Sequence, residues 1–217
     1  MKRLTLLLIA LGLTLGLPLR AQITHTPTGS HDEAAAKLLK KAARKLGNVS
    51  MTVKVNMQDA VKREVGTYEA QVSRASGGYR VKMKGQEIVC DGKTVWQWNK
   101  SDNEVVINSL AKDDGTNPLN PGDMIANHEK NFRAKFIRTE SDGTAVIDMQ
   151  PNKAQSYHKI RLLIDSKNGE LKQIEVHKFD SGREIYEFTN RNYGTVKETF
   201  AFDPKKQCPK AEVIDMR

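Results

Sequence analysis

The chain has 217 residues, with 35 Lys and Arg against 26 Asp and Glu, for a formal charge of +9. At 38% hydrophobic and 28% charged, it has the make-up of one folded domain with a substantial core, which excludes a disordered chain, a collagen-like repeat and a polytopic membrane protein. Three of the excess cations, Lys2, Arg3 and Arg20, fall within the first 21 residues.

Residues 1–21 read as a secretory signal peptide. Lys2 and Arg3 precede an apolar run over residues 4–17 that is short for a bilayer span and is interrupted by Gly12 and Gly16. Ala21 then offers a small residue for cleavage before Gln22. The expected product is an exported, soluble, single domain over residues 22–217. Export permits Cys90 and Cys208 to close a disulfide around most of the mature chain, with two separate thiols as the equal alternative.

A polar lead gives way to the first helix, with Ser30 and Glu33 at capping-box spacing and Gly47 where the helix should end. Ala35, Leu38, Leu39, Ala42 and Leu46 form one stripe, with Lys37, Lys40, Lys41, Arg44 and Lys45 opposite. The stripe lacks Trp and Phe, so a helix packed on a sheet with a solvated basic face is expected rather than a membrane-surface helix.

After Gly47 the hydrophobic period changes to two. Val49, Met51, Val53, Val55 and Met57 alternate with polar residues, the mark of a strand with one buried face. Tyr68 to Val72, Tyr79 to Met83 and Ile88 to Cys90 continue the pattern. Asp91-Gly92 then predicts a two-residue type I′ hairpin, returning over residues 93–99 with Thr94, Trp96 and Trp98 on one face. Residues 104–109 add another strand.

The β pattern breaks over residues 110–132. Clusters of Asp, Asn, Gly and Pro mark turns, and Asp123 is placed to cap a short helix beginning at Met124-Ile125. An irregular connection of this length is a candidate lid. Strands are expected again over 133–139, 144–149, 157–165, 171–179, 183–193 and 199–202, with an apolar pair, Val213-Ile214, in the tail. About ten strands joined by tight turns predict a mainly β (α+β) fold: a curved antiparallel sheet, an unclosed barrel, with the amphipathic helix across its concave side.

No chemistry is nominated by motif. Gly92-Lys93-Thr94 lacks the earlier glycine of a phosphate loop, and His25, His31, His128, His158 and His177 show no metal-ligand spacing. Basic residues never run longer than two and aromatics are 6% of the chain, which speaks against nucleic acid. No cofactor and no metal is expected, and a hydrolase would need a constellation that the sequence does not offer.

The segment 91–99 (DGKTVWQWN), the insert 111–118 (AKDDGTNP) with Met124-Ile125 behind it, and the tail from Phe200-Ala201-Phe202-Asp203-Pro204 to Val213-Ile214-Asp215 together resemble the LolA family of periplasmic outer-membrane lipoprotein carriers. The resemblance runs in order over roughly residues 33–215. It implies an unclosed antiparallel β-barrel closed by helices, with an apolar cavity for lipoprotein acyl chains, and no enzyme activity. Its partners would be acylated lipoproteins, an inner-membrane lipoprotein-releasing ABC transporter and an outer-membrane lipoprotein acceptor, met by a periplasmic monomer. The alternating apolar positions that would line such a cavity are Met51, Val53, Val55, Trp96, Trp98, Met124, Ile125, Phe136 and Ile147. The family also has an arginine that holds the lid through hydrogen bonds to backbone groups; Arg74 matches it, with Arg80 as the fallback. The alternatives on the same fold are a sensor of mislocalised lipoprotein and a carrier of another lipid or apolar ligand.

Overall fold

The computed structural model describes residues 32–75, 77–110, 116–194 and 196–217. The expected signal peptide, Ser30 and residues 111–115 of the insert lie outside them.

Helix α1 spans Glu33–Leu46, and the residue that caps it is Asp32, whose Oδ1 accepts from the Ala35 N–H at 3.1 Å. Glu33 in the first turn, and Arg44 and Lys45 in the last, suit the helix dipole. Gly47, where the sequence predicts a left-handed cap, sits at φ −65°, ψ −27° and simply prolongs the right-handed turn, its N–H bonding to the Arg44 carbonyl. The apolar stripe is buried as its spacing predicts: Ala35, Leu38, Leu39, Ala42 and Leu46 all face the sheet.

The sheet has twelve strands among the described residues: β1 (Val49–Gln58), β2 (Glu64–Ala75), β3 (Gly78–Met83), β4 (Gln86–Cys90), β5 (Thr94–Asn99), β6 (Glu104–Ser109), β7 (Phe132–Thr139), β8 (Thr144–Pro151), β9 (Tyr157–Asp165), β10 (Leu171–Lys178), β11 (Arg183–Tyr193) and β12 (Glu212–Asp215). Helices α2 (Pro121–Ala126) and α3 (His128–Asn131) lie between β6 and β7, and α4 (Pro204–Gln207) precedes β12. The order is β12-β6-β5-β4-β3-β2-β1-β11-β10-β9-β8-β7. Two meanders are thus joined where β1 pairs with β11, Val49 opposite Tyr193 and Gln58 opposite Arg183. Every pairing is antiparallel except β12 with β6. The edges β7 and β12 do not pair with each other, so the curved sheet is unclosed, as the sequence led us to expect.

Several local expectations are corrected. Asp91-Gly92 is not a two-residue type I′ turn. Strand β4 ends at Cys90 and β5 starts at Thr94, only Gly92 has positive φ (+93°), and Asp91 Oδ1 accepts from the N–H groups of Lys93 and Thr94. The Asp side chain replaces backbone curvature with an Asx turn, which leaves a three-residue loop. Residues 199–202 do not form a strand. They cross the outer face of the sheet, where Arg80 donates to the carbonyls of Thr199 (3.0 Å) and Ala201 (3.4 Å) and pairs with Glu87 (2.5 Å) and Glu198 (3.2 Å).

Both faces of the β3–β6 region are therefore covered. The main core fills the concave face, under α1 and α2, while a smaller cluster on the outer face gathers Val89, Val105, Ile107, Phe202 and Cys208. Cys90 belongs to the first cluster and Cys208 to the second, and neither is in a disulfide. The bridge allowed by composition is prevented by the sheet between them. Burial, followed by the charges of Asp203 and Glu87, pushes the Cys208 thiol up.

Farther along, the outer face of β8–β10 carries a charged ladder. Asp148 meets Arg161 at 2.7 Å and Lys159 at 3.5 Å. Burial favours the protonated Asp148 carboxyl, but Arg161 and Lys159 outweigh it and hold the carboxyl below its ordinary range. At the open edge, the Phe136 N–H on β7 donates to Asp32 Oδ2 at 2.8 Å, so one carboxylate caps α1 and ties it to that strand.

Candidate functional site

The concave face brings together seven of the nine positions assigned to a cavity. Met51, Val53 and Val55 of β1, Ile147 of β8 and Met124 and Ile125 of α2 join one core, with half-buried Phe136 of β7 packed against it. Trp96 and Trp98 do not. They point to the outer face, where their rings lie 6.2 and 6.3 Å from that of Phe202, and their assignment to the cavity is corrected. Their β5 neighbour Val95 is the residue that faces inward.

The space beneath α1 and α2 is filled by protein. Val53, Val55, Met124, Ile125 and Ile147 are 0% exposed and Met51 is 4% exposed, while Leu39 and Leu46 reach down from α1. Met124 and Ile125 are the lid's own contribution, each worth roughly 1.5–3 kcal/mol when withdrawn from water.

One cation holds this lid. Arg74, near the end of β2, donates from Nη1 to Asn120 Oδ1 at 3.1 Å and from Nη2 to Asp123 Oδ1 at 2.6 Å. Asn120 in turn donates to Asp123 Oδ2 at 2.7 Å, which completes a ring of three side chains. The Arg74 side chain is only 12% exposed and that of Asp123 26%, so the pair is sheltered from solvent screening. Gly122 lets the guanidinium in: a Cβ there would stand 2.7 Å from Arg74 Nε and 3.1 Å from the Leu46 carbonyl.

Arg74 thus grips the lid through side chains rather than backbone groups, and α2 begins at Pro121, one turn before the expected start. Asp123 is not the cap that the sequence predicts but the anion inside the first turn of the helix. Sequence reasoning misses Asn120, Gly122 and Asp123 as partners of Arg74 because the contacts span 46 and 49 residues. Their one local signal is a polar cluster beside Pro121. Arg80, the fallback, serves the strap on the outer face.

The arrangement is an apolar face covered by a short helix that a polar ring of three side chains ties to the sheet. Among the described residues there is no group of three or more His, Cys, Asp or Glu placed to hold a metal ion. Among the same residues, no helix is long and apolar enough to cross a membrane.

Comparison with known proteins places this geometry. The family model described as "Outer membrane lipoprotein carrier protein LolA" matches residues 80–203, more than half of the chain. No curated protein matches. Among solved structures, a conserved protein from Thermus thermophilus is 13% identical over 84% of this chain and 99% of its own, with a TM-score of 0.51. A LolA superfamily protein from Nitrosomonas europaea is 16% identical over 78% of this chain and 98% of its own, with a TM-score of 0.44. A chain of the Pseudomonas aeruginosa MucA/MucB complex is 12% identical over 76% of this chain and 58% of its own, with a TM-score of 0.38. At such identities the likeness is one of fold.

Proposed function

Because the chain belongs to the LolA family of outer membrane lipoprotein carrier proteins, we propose that it is a periplasmic carrier which takes the acyl chains of lipoproteins beneath α2 and delivers them to the outer membrane. The observation that carries this reading is the Arg74–Asn120–Asp123 latch, set over an apolar face that the lid itself fills.

The energetics bring lid and ligand close to balance. An acyl chain of about sixteen carbons gains on the order of 12 kcal/mol on leaving water, at about 0.8 kcal/mol per methylene. Withdrawing Met124 and Ile125 and breaking the three hydrogen bonds of the latch cost a comparable amount, since each side chain contributes about 1.5–3 kcal/mol and each charged hydrogen bond about 1.5–3 kcal/mol. The closed, empty state competes with the loaded one, so the latch stabilises release as well as closure. Energy for loading would come from an inner-membrane ABC transporter, and an outer-membrane acceptor would draw the cargo off. Residues 1–21 act, in this reading, as the signal peptide that exports the chain, and the mature protein works as a monomer with no cofactor.

The test is loading. A fluorescent fatty-acid probe should bind the purified protein and be displaced by a triacylated lipopeptide, while Ile147→Ala on the sheet weakens both and Met124→Ala, which lowers the cost of opening the lid, strengthens both. A protein that binds neither probe nor lipopeptide overturns the reading. Retention of a free lipid or pigment that lipopeptide cannot displace assigns the fold another cargo.

A further inference from the structure

The outer side of α1 and the lid enclose a second feature, a groove of about 800 Å³ whose walls include Lys37, Lys40 and Arg44 on one side and Ala126, His128 and Glu129 on the other. Ala36, Ala43 and Ile125 give it an apolar floor. The three cations are exposed and, among the described residues, make no ion pair, whereas Lys45 of the same helix pairs with Glu170 at 3.7 Å. His128 is turned inward, its Nδ1 2.8 Å from the Ile125 carbonyl, and among the described lining residues Glu129 is the one carboxylate.

Three cations at i, i+3 and i+7 that, among the described residues, make no ion pair mark one stripe of the helix beside this groove. Ile125 belongs both to the groove floor and to the core below. The groove therefore borders the lid that covers the proposed acyl-chain site.

We infer that the groove binds the peptide that follows the lipidated cysteine of the cargo, and that it prefers acidic residues there. The inference rests on the carrier reading. Acyl chains fix the cargo's first residue beneath α2, so the next residues are delivered to the groove at high effective concentration, and weak surface ion pairs become useful selectivity. Exposed pairs of this kind are individually weak, and three together should give a preference of about tenfold at low salt.

The experiment compares two triacylated lipopeptides that differ only in the residues after the cysteine, a run of Asp and Glu in one and of Ser and Asn in the other. Affinity is measured for the intact protein and for Lys37→Ser/Lys40→Ser/Arg44→Ser, with Lys54→Ser/Lys62→Ser as the control for lost charge elsewhere. The expected result is about tenfold tighter binding of the acidic lipopeptide near 50 mM salt, shrinking severalfold near 300 mM. The preference should vanish in the triple variant and survive in the control. Equal affinities, or a preference that the triple variant keeps, overturn the groove while leaving the carrier reading intact. Failure of both lipopeptides to bind overturns both. Anionic vesicles bound by the intact protein and not by the triple variant, with no preference between lipopeptides, reassign the groove to a lipid surface and overturn the proposal.

Discussion

Arg74 on β2 and Asp123 on α2 stand 49 residues apart in sequence and 2.6 Å apart in space. Their contact is the point at which the rigid sheet holds the short helix that lies over its concave face. In the proposed carrier cycle this contact exists only when the lid is shut, so its free energy would enter the equilibrium between empty and loaded protein.

Arg74→Leu should therefore load normally and release poorly. The expected effect is an affinity for lipopeptide raised about tenfold, the equivalent of about 1.4 kcal/mol lost from the closed state. Transfer from loaded protein to the acceptor checks it, and unchanged transfer removes Arg74 from the mechanism.

Gly122→Ala should reproduce that phenotype with both charged partners in place. Its Cβ would meet Arg74 Nε at 2.7 Å and Cδ at 2.8 Å, closer than real contacts allow, so either the guanidinium or α2 has to move. A stability loss of about 1–3 kcal/mol is expected from the overpacking, together with faster proteolytic cleavage near residues 117–127. Protection equal to that of the unmodified protein would show that the lid accommodates the methyl group.

Trp98→Ala and Met124→Ala should separate the two faces of the sheet. The first removes half of an aromatic pair on the outer face and should lower stability by about 2–3 kcal/mol without changing probe affinity. The second removes a lid side chain that faces the core and should change probe affinity severalfold. Loss of probe binding in Trp98→Ala would return that residue to the cavity.

Acidification should unfold the protein in two stages. Burial and the charge of Lys159 push His177 below its ordinary 6.5, against the pull of Glu175, so the unfolded chain takes up that proton first and stability falls as pH drops through that value. Asp148 and Glu198 come next. Despite burial, Arg161 holds the first below 3.8, and Ser73 and Lys82 hold the second below 4.5. Their stabilisation is therefore present above those values and is lost as pH falls beneath them. Thermal midpoints between about pH 8 and about pH 3 check this: His177→Gln should flatten the upper stage and Asp148→Asn the lower one. A midpoint that rises on acidification would contradict both assignments.

Thiol titration should find two reactive sulfhydryls on unfolding and almost none before it, since both cysteines are buried and neither is bridged. Addition of reductant should leave the thermal midpoint unchanged. A midpoint lowered by reductant would mean that the bridge forms.

Most of the architecture is legible in the sequence because hairpins leave a local record. Period-two alternation locates β1 through β5, and Gly143 and Gly169, both at positive φ, mark the turns between β7 and β8 and between β9 and β10. Helix α1 declares its buried face by spacing alone. What stays hidden depends on distant partners. Val95 and Trp96 alternate on a strand whose two faces are both covered, and only the strap bearing Phe202 decides which side is outer. The latch is half legible: a family resemblance points to Arg74, while Asn120 and Asp123 look like ordinary turn and cap residues. The disulfide is undecidable until the sheet stands between its two cysteines.

The double use of Asp32 has a consequence for solubility. Among the described residues the open sheet has twelve strands and two edges without a partner strand, and such edges invite other chains to add on. On β7 the outward N–H of Phe136 is already occupied by the carboxylate that starts α1, so the helix guards the border of the sheet as well as covering its face. On β12 the guard is charge, with Glu212 and Asp215 flanking exposed Val213 and Ile214. One occupied N–H and two flanking carboxylates thus oppose strand addition at the two edges.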